Sequence, residues 1–261
     1  MLVLMIGDVM GRPGREAVTR VLPALRQELE IHLVIANGEN AAGGRGLTRA
    51  TAEELMAAGV DVITSGNHIW DQPEMRKELD GRLPVLRPLN YPQGVPGRGF
   101  LVHKGVLIFN LAGRHFMEAL DCPFRAADRL LQEQGHQSKV RVVDFHAEAS
   151  SEKGALGWHL DGRVSAVVGT HTHVPTADQR VLPNGTAFVG DAGMTGPYNS
   201  VIGARPDRIV AHFLTQLPAR FEVADGPAVF NSVLVDIAAD SGKAKQITRV
   251  DRFVDDLSGT S

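Results

Sequence analysis

Short apolar runs rich in β-branched residues alternate with amphipathic stretches along the N-terminal part of the chain. Leu2–Ile6, His32–Ala36 and Val60–Thr64 each close on a cluster of Gly, Asn or Asp, the pattern of parallel strands buried on both faces. Between the first two, Arg15–Glu30 repeats apolar residues at Val18, Val21, Leu22, Leu25 and Leu29. That is a helical spacing, which Pro23 is expected to kink or split. Thr48–Ala58 predicts the next helix, with Thr51 as its N-cap and Glu54 as the capping-box partner. Strand, helix, strand, helix, strand is the order of a parallel sheet with right-handed crossovers.

Beyond a further helix at Pro73–Leu79 the grammar changes. Phe100–His103 and Val106–Asn110 flank Lys104-Gly105, and Val181–Leu182 and Ala187–Val189 flank Pro183-Asn184-Gly185; both read as hairpins. Pro123–Gln134 and Asp207–Thr215 read as helices, Val140–Phe145 and Val164–Val168 as strands. Ala228–Ile237 and Lys245–Val254, joined through Asp240-Ser241-Gly242, predict a closing antiparallel pair. Parallel strands early and antiparallel ones late predict an α/β fold of two mixed sheets stacked face to face, with helices outside. No repeat, low-complexity tract or linker divides the chain, so residues 1–261 are expected to form one domain.

Composition narrows the function classes. The chain is 43% hydrophobic and 22% charged, an ordinary globular balance. Lys+Arg 27 against Asp+Glu 30 gives a formal net charge of -3. No basic surplus is available for stable nucleic-acid binding. Cys122, the single cysteine, excludes an internal disulfide framework and any cysteine-rich zinc site; it reads as a small buried or half-buried side chain. No run approaches the roughly 18 apolar residues of a membrane span. The apolar start ends early at Gly7-Asp8 and reads as a first strand rather than a signal peptide, which makes a reducing cytoplasm the expected home. Ten histidines beside two tyrosines and two tryptophans are the first hint of chemistry.

The chemistry lies at the ends of the strands. The first runs into Gly7-Asp8, the second into Asn37-Gly38-Glu39-Asn40 and the third into Gly66-Asn67-His68. The strand at 140–145 ends on His146, and that at 164–168 leads to Gly169-Thr170-His171-Thr172-His173. The carboxyl ends of parallel strands share one edge of a sheet, where ligands bind. Carboxylate and amide oxygens with imidazoles, and no thiolate, are the donors that hard or borderline cations choose. Two such cations about 3.5–4 Å apart can clamp one phosphoryl group. His171 and His173, two apart on an extended segment, would point to one side and each reach a different ion.

In this order of motifs the chain resembles the calcineurin-like metallophosphoesterases, and within them the YmdB-like phosphodiesterases. The general pattern places Asp-x-His, Gly-Asp, Gly-Asn-His, a lone His and Gly-His-x-His after successive strands. Here Met10 stands at the histidine of the first motif, and Glu39 replaces the aspartate of the second. Both departures mark the YmdB-like branch, in which the Asn after the Glu takes the missing ligand's place. The resemblance extends to Gly190–Gly203, a stretch with four glycines, whose place at the site is left open. It implies a four-layer α/β/β/α sandwich and a dinuclear centre of iron, with manganese as the alternative. One ion would take Asp8, Glu39, Asn40 and His173, the other Glu39 as bridge, Asn67, His146 and His171. A hydroxide between the ions would attack a phosphodiester. His68, left unligated, would protonate the leaving oxygen as general acid. Cyclic nucleotides are the implied substrates, 2′,3′-cyclic nucleotide monophosphates foremost, and a homo-oligomer is compatible with the chain.

Plainer readings stand beside these. Asp8 and Asn67 also suit helix caps, and His146 alone reads as a hydrogen-bonded core histidine. Arg45, in the glycine-rich loop after Glu39-Asn40, reads as a solvated surface arginine, with contact to substrate as the alternative. The remaining histidines read as surface or local structure, with Arg114 beside His115 able to meet a phosphate. Gly7-x-x-x-Gly11-x-x-Gly14 after a first strand loosely resembles a dinucleotide fingerprint, so a nucleotide-binding oxidoreductase is a rival class. Its spacing is wrong, and it leaves the histidines without work. A metal-stabilised regulatory protein without turnover is a third class, for which an intact His68 has no use.

Overall fold

The computed structural model describes residues 1–255, so the last six positions of the domain expected over 1–261 lie outside the described residues. In chain order the elements begin with β1 (Leu2–Ile6), β2 (Asp8–Val9), α1 (Gly11–Glu28), β3 (Leu33–Asn37), α2 (Arg49–Ala57) and β4 (Val62–Thr64). A 3₁₀ turn at Asn67–Trp70 leads to α3 (Met75–Glu78), β5 (Phe100–His103), β6 (Val106–Ala112) and α4 (Pro123–Gln134). Next come β7 (Val140–His146), α5 (Ser150–Leu160), β8 (Ala166–Thr170), β9 (Arg180–Val181), β10 (Ala187–Val189) and β11 (Met194–Pro197). The last are α6 (Pro206–Thr215), β12 (Ala228–Phe230), β13 (Ser232–Ile237), β14 (Ala244–Arg249) and β15 (Arg252–Val254).

These build a mixed α/β fold. One sheet runs β14-β13-β1-β3-β4, the second β5-β6-β7-β8-β10-β9. A smaller third sheet, β15-β12-β11-β2, adds to the two expected. β1, β3 and β4 pair in parallel, as do β6, β7, β8 and β10. Side chains alternate across each strand with a period of two. Leu4, Ile6, Val34 and Ala36 therefore pack with Val18, Leu22 and Leu55 of α1 and α2. Val3, Met5, Leu33 and Ile35 turn the other way and meet Ile108, Val142 and Val168 of the second sheet. The opposite face of that sheet puts Phe109, Val143 and Phe145 against Ala126, Leu130, Leu156 and Leu160 of α4 and α5.

Several sequence expectations change. α1 runs unbroken through Pro23: the burial of Val18, Leu22 and Leu25 outweighs the roughly 3 kcal/mol an internal proline costs. The N-cap of α2 is Thr48, not Thr51; the two exchange bonds, Thr51 N–H to Thr48 Oγ1 at 3.2 Å and Thr48 N–H to Thr51 Oγ1 at 3.0 Å. Glu54 instead pairs with Arg15 at 2.6 Å. α5 was absent from the apolar pattern because it turns Glu152 and Lys153 inward with Leu156 and Leu160. The strand expected over Ala228–Ile237 divides between two sheets at Asn231, whose side chain donates to the Met194 carbonyl at 2.7 Å.

Candidate metal centre at the strand ends

Five strand ends meet at one edge because the backbone there leaves almost no room. A Cβ on Gly7 would lie 1.7 Å from the Gly193 carbonyl oxygen, so only glycine lets the chain pass beneath β11 and bury Asp8. A Cβ on Gly66 would lie 2.1 Å from His146 Cδ2 and 2.3 Å from Glu39 Oε2. Neither Asp8 nor Asn67 caps a helix: Met10 precedes α1, and Gly66 precedes the 3₁₀ turn. Gly14 is consumed in the same way, since a Cβ there would meet the Thr195 carbonyl oxygen at 2.3 Å. Of the glycines that loosely resembled a dinucleotide fingerprint, Gly7 and Gly14 serve backbone packing and Gly11 takes a left-handed φ of +59°.

Around His146 the acceptors converge. Its Nε2 lies 2.9 Å from Glu39 Oε1, 3.0 Å from His171 Nδ1 and 3.2 Å from Asn67 Oδ1. Its Nδ1 lies 2.9 Å from Thr170 Oγ1, and that hydroxyl donates to Asp144 Oδ1 at 2.7 Å. With its proton committed to Asp144, the hydroxyl accepts from Nδ1–H, which turns the Nε2 lone pair toward the cluster. His171 is oriented likewise: its Nε2 faces Glu148 Oε2 at 3.2 Å, which leaves Nδ1 facing inward. Glu39, His146 and His171 can together hold a metal ion.

A second group adjoins the first. His173 Nδ1 donates to the Ile202 carbonyl at 2.8 Å, so its Nε2 lone pair faces Asn40 Oδ1 at 3.3 Å and Asp8 Oδ1 at 4.0 Å. Asn40 is itself aimed by donation from Nδ2 to the Gly44 carbonyl at 3.0 Å. Asp8 Oδ2 accepts from the His171 N–H at 3.1 Å, whereas its Oδ1 is buried and has no hydrogen-bond partner. All seven residues predicted as ligands thus gather in two adjoining groups. His68 stands beside them: its N–H donates to Glu39 Oε2 at 3.2 Å, and its Nδ1 lies 2.9 Å from Asp71 Oδ2. A cleft of about 260 Å³, lined by Glu39, Asn40, His68, Glu148, His171 and His173, opens onto both groups.

His171 and His173 do not lie on an extended segment. Their φ angles are +98° and +65°, a left-handed stretch uncommon outside glycine. Asp191 holds it there, accepting from Thr172 N–H at 3.1 Å and Thr172 Oγ1 at 2.7 Å, while Lys153 Nζ donates to the same carboxylate at 2.7 Å. The Gly190–Gly203 stretch therefore supports the histidine loop through Asp191 and Ile202. Residues outside the predicted set carry this support: Asp144 (also bonded by Thr64 and Asn37), Glu148, Thr170, Lys153 and Asp191. Glu148 follows His146 by two residues, which was its only signal in the sequence.

The electrostatics call for a positive charge. Burial pushes the Asp8 carboxyl up to about 7, against the pull of His173 and His146. Burial works against the charged forms of Glu39 and His146 as well, yet each draws the other toward charge, which moves Glu39 down and His146 up; the place this gives a proton on His146 Nε2 is the place a metal ion would take, leaving the lone pair to the ion. Burial and the neighbouring His146 push His171 down to about 3. Buried carboxylates, carbonyl-type oxygens and inward imidazole lone pairs are a donor set that fits metal ions, with outer partners fixing each ring. The orphaned Asp8 Oδ1 is the atom such an ion would satisfy.

Comparison with known proteins sets the chain among phosphoester hydrolases. It belongs to the family described as YmdB-like protein, whose sequence pattern matches residues 4–250. A 2′,3′-cyclic-nucleotide 2′-phosphodiesterase of Bacillus subtilis (strain 168) is 47% identical over 254 residues, covering 96% of each chain. A protein of Thermus thermophilus with a solved crystal structure is 47% identical, with a TM-score of 0.92 over 97% of this chain and 100% of that one. A phosphatase of Mycoplasma pneumoniae, also solved, is 34% identical, with a TM-score of 0.93 over 98% of this chain and 95% of that one. Among the described residues no helix is long and apolar enough to cross a membrane.

Proposed function

We propose that this protein hydrolyses phosphodiesters at a dinuclear metal centre, with 2′,3′-cyclic nucleotide monophosphates as its substrates. The carrying observation is the meeting of Glu39 Oε1, Asn67 Oδ1 and His171 Nδ1 within 3.2 Å of the Nε2 of the buried His146, beside a cleft, in a chain 47% identical to a cyclic-nucleotide phosphodiesterase. Asp8, Glu39, Asn40 and His173 would hold one ion; Glu39, Asn67, His146 and His171 the other. Oxygen and imidazole donors without thiolate suit iron or manganese, with iron the first choice. When bound, such ions lower the pKa of water toward 7 and neutralise charge growing on the phosphoryl oxygens.

The protein's own groups complete the reaction. His68 gives Nδ1–H to Asp71, so Nε2 is the atom that passes a proton to the leaving alkoxide and regains one from water. A cyclic diester and one water yield a monoester and a free hydroxyl. We take the scaffold to be a single metallophosphoesterase unit, expected over residues 1–261, with helices, two sheets and helices as four layers; the three apolar cores of the described residues support that reading. The test combines elemental analysis of the purified protein with hydrolysis of 2′,3′-cyclic nucleotides before and after chelation. Two metal equivalents, loss of activity on chelation and its return with iron or manganese are expected. Undiminished hydrolysis by metal-free protein, or no hydrolysis of any cyclic nucleotide by the reloaded protein, overturns the proposal.

A further inference from the structure

The cleft that opens onto the two donor groups is small. At about 260 Å³ it falls short of the roughly 300 Å³ at which small-molecule pockets begin, and of the residues lining it only Ile202 is aliphatic. Such a space suits a phosphate and part of a ribose, not a whole nucleotide. Immediately beside it lies an apolar hollow of about 410 Å³. His173 and Ile202 line both spaces, so the same residues that border the candidate centre form the wall between them.

The far side of the hollow carries Met10, Ile209, Phe213 and Phe221, with Arg45 from the glycine-rich loop. Phe213 and Phe221 are 70% and 53% exposed, an arrangement that leaves aromatic surface open to a ligand. His212 stands between them, its ring centroid 5.7 Å from Phe213 and 6.2 Å from Phe221. Its Nδ1 donates to the Leu217 carbonyl at 2.7 Å, which holds the ring in place. Arg45 is exposed, and its side chain forms no ion pair among the described residues. Ile202 has φ +47°, a strained setting for a β-branched residue, and in it the carbonyl anchors His173 while the side chain faces the hollow.

We infer that this hollow is the nucleobase subsite: a nucleotide whose phosphate enters the cleft lays its base across His173 and Ile202 onto Phe213 and Phe221. The inference rests on the phosphodiesterase reading and adds to it the part of the substrate that the donor groups do not touch. A wall of aromatic and aliphatic carbon with few fixed hydrogen-bonding groups recognises a base by stacking, so every base is accepted and the larger purines bind more tightly.

Phe213→Ala and Phe221→Ala test this by binding and by turnover. Calorimetry on metal-loaded protein compares adenosine 3′-monophosphate with 1-O-methylribose 3-phosphate, which lacks the base. Hydrolysis compares 2′,3′-cyclic AMP with the 2′,3′-cyclic phosphate of methylribose. In each variant the preference for the base-bearing compound is expected to fall roughly tenfold, in Kd and in KM, the scale of one lost stacking partner. Phe221→Trp is expected to retain it. Equal weakening of base-bearing and base-free compounds, or no change in either, overturns the inference. So does a change confined to the oligomeric state, which would make this face a contact between copies. Base-dependent binding without hydrolysis would leave the subsite standing and remove the phosphodiesterase reading; hydrolysis indifferent to the base would do the reverse.

Discussion

Gly66→Ala is the smallest change that reaches the centre of the site. The φ of Gly66 is −155°, outside the left-handed region, and the contacts a Cβ would make there are the effect to be weighed. The added methyl would lie 2.1 Å from His146 Cδ2, 2.2 Å from His146 Nε2 and 2.3 Å from Glu39 Oε2. Restoring ordinary contact near 3.4 Å requires the imidazole and the carboxylate to withdraw by more than an ångström. His146 cannot yield without leaving Thr170 Oγ1 at 2.9 Å, and Glu39 cannot yield without leaving the His68 N–H at 3.2 Å. A misplacement of about 1 Å at a reacting centre costs on the order of 10²-fold in rate. The expected result is a loss of that size in kcat on 2′,3′-cyclic AMP, with bound metal reduced in elemental analysis and circular dichroism unchanged. A Gly66→Ala protein with wild-type metal content and turnover would refute the reasoning, because it would show the donors free to rearrange.

Three further outcomes follow from the groups around the site and in the scaffold. Thr170→Val removes the hydroxyl that links His146 to Asp144 and takes that partner from His146 Nδ1 and Asp144 Oδ1; about 10–100-fold weaker metal binding is expected in chelator competition, and an unchanged affinity would count against the tautomer argument. Lys153→Met leaves the Asp191 carboxylate buried without its cation, and urea denaturation is expected to show a loss of about 3–5 kcal/mol, together with lowered metal content from a loosened histidine loop. Burial works against the Asp61 carboxylate, but hydrogen bonds from Lys104 and the Val34 N–H, with Arg26 nearby, hold its pKa below the ordinary value. Its contribution is therefore present above about pH 4 and lost as pH falls through the folded-state pKa. Asp61→Asn is expected to lower the Tm at pH 7, with the gap to wild type narrowing in acid.

Strand ends were legible because burial on both faces writes itself as an unbroken apolar run, and the polar residue that stops the run marks the rim. That is how Asp8, Glu39, Asn67 and His146 could be found as one set although most of the chain lies between them. Residues acting through another residue left no such mark. Asp144 sits within the apolar run of β7, Lys153 within a helix whose inward face is partly charged, and Asp191 within a glycine-dense stretch. The Thr48 cap was missed because its partner is a second threonine, not the glutamate that the usual pattern supplies. The split at Asn231 was hidden because both halves have strand-like sequences; only the register against β1 and β11 separates them.

The first strand of this protein is an interior one. β1 pairs on one side with β3, close in sequence, and on the other with β13, more than two hundred residues away. Its second edge is closed only when a segment from far along the chain docks beside it, so completing this layer is a long-range event. The same docking reaches the rim: just ahead of Asp8, the Gly7 N–H donates to the Asn231 carbonyl at 3.1 Å, at the entrance to β13. A change that loosens β13 would therefore disturb the donor groups without touching any one of them.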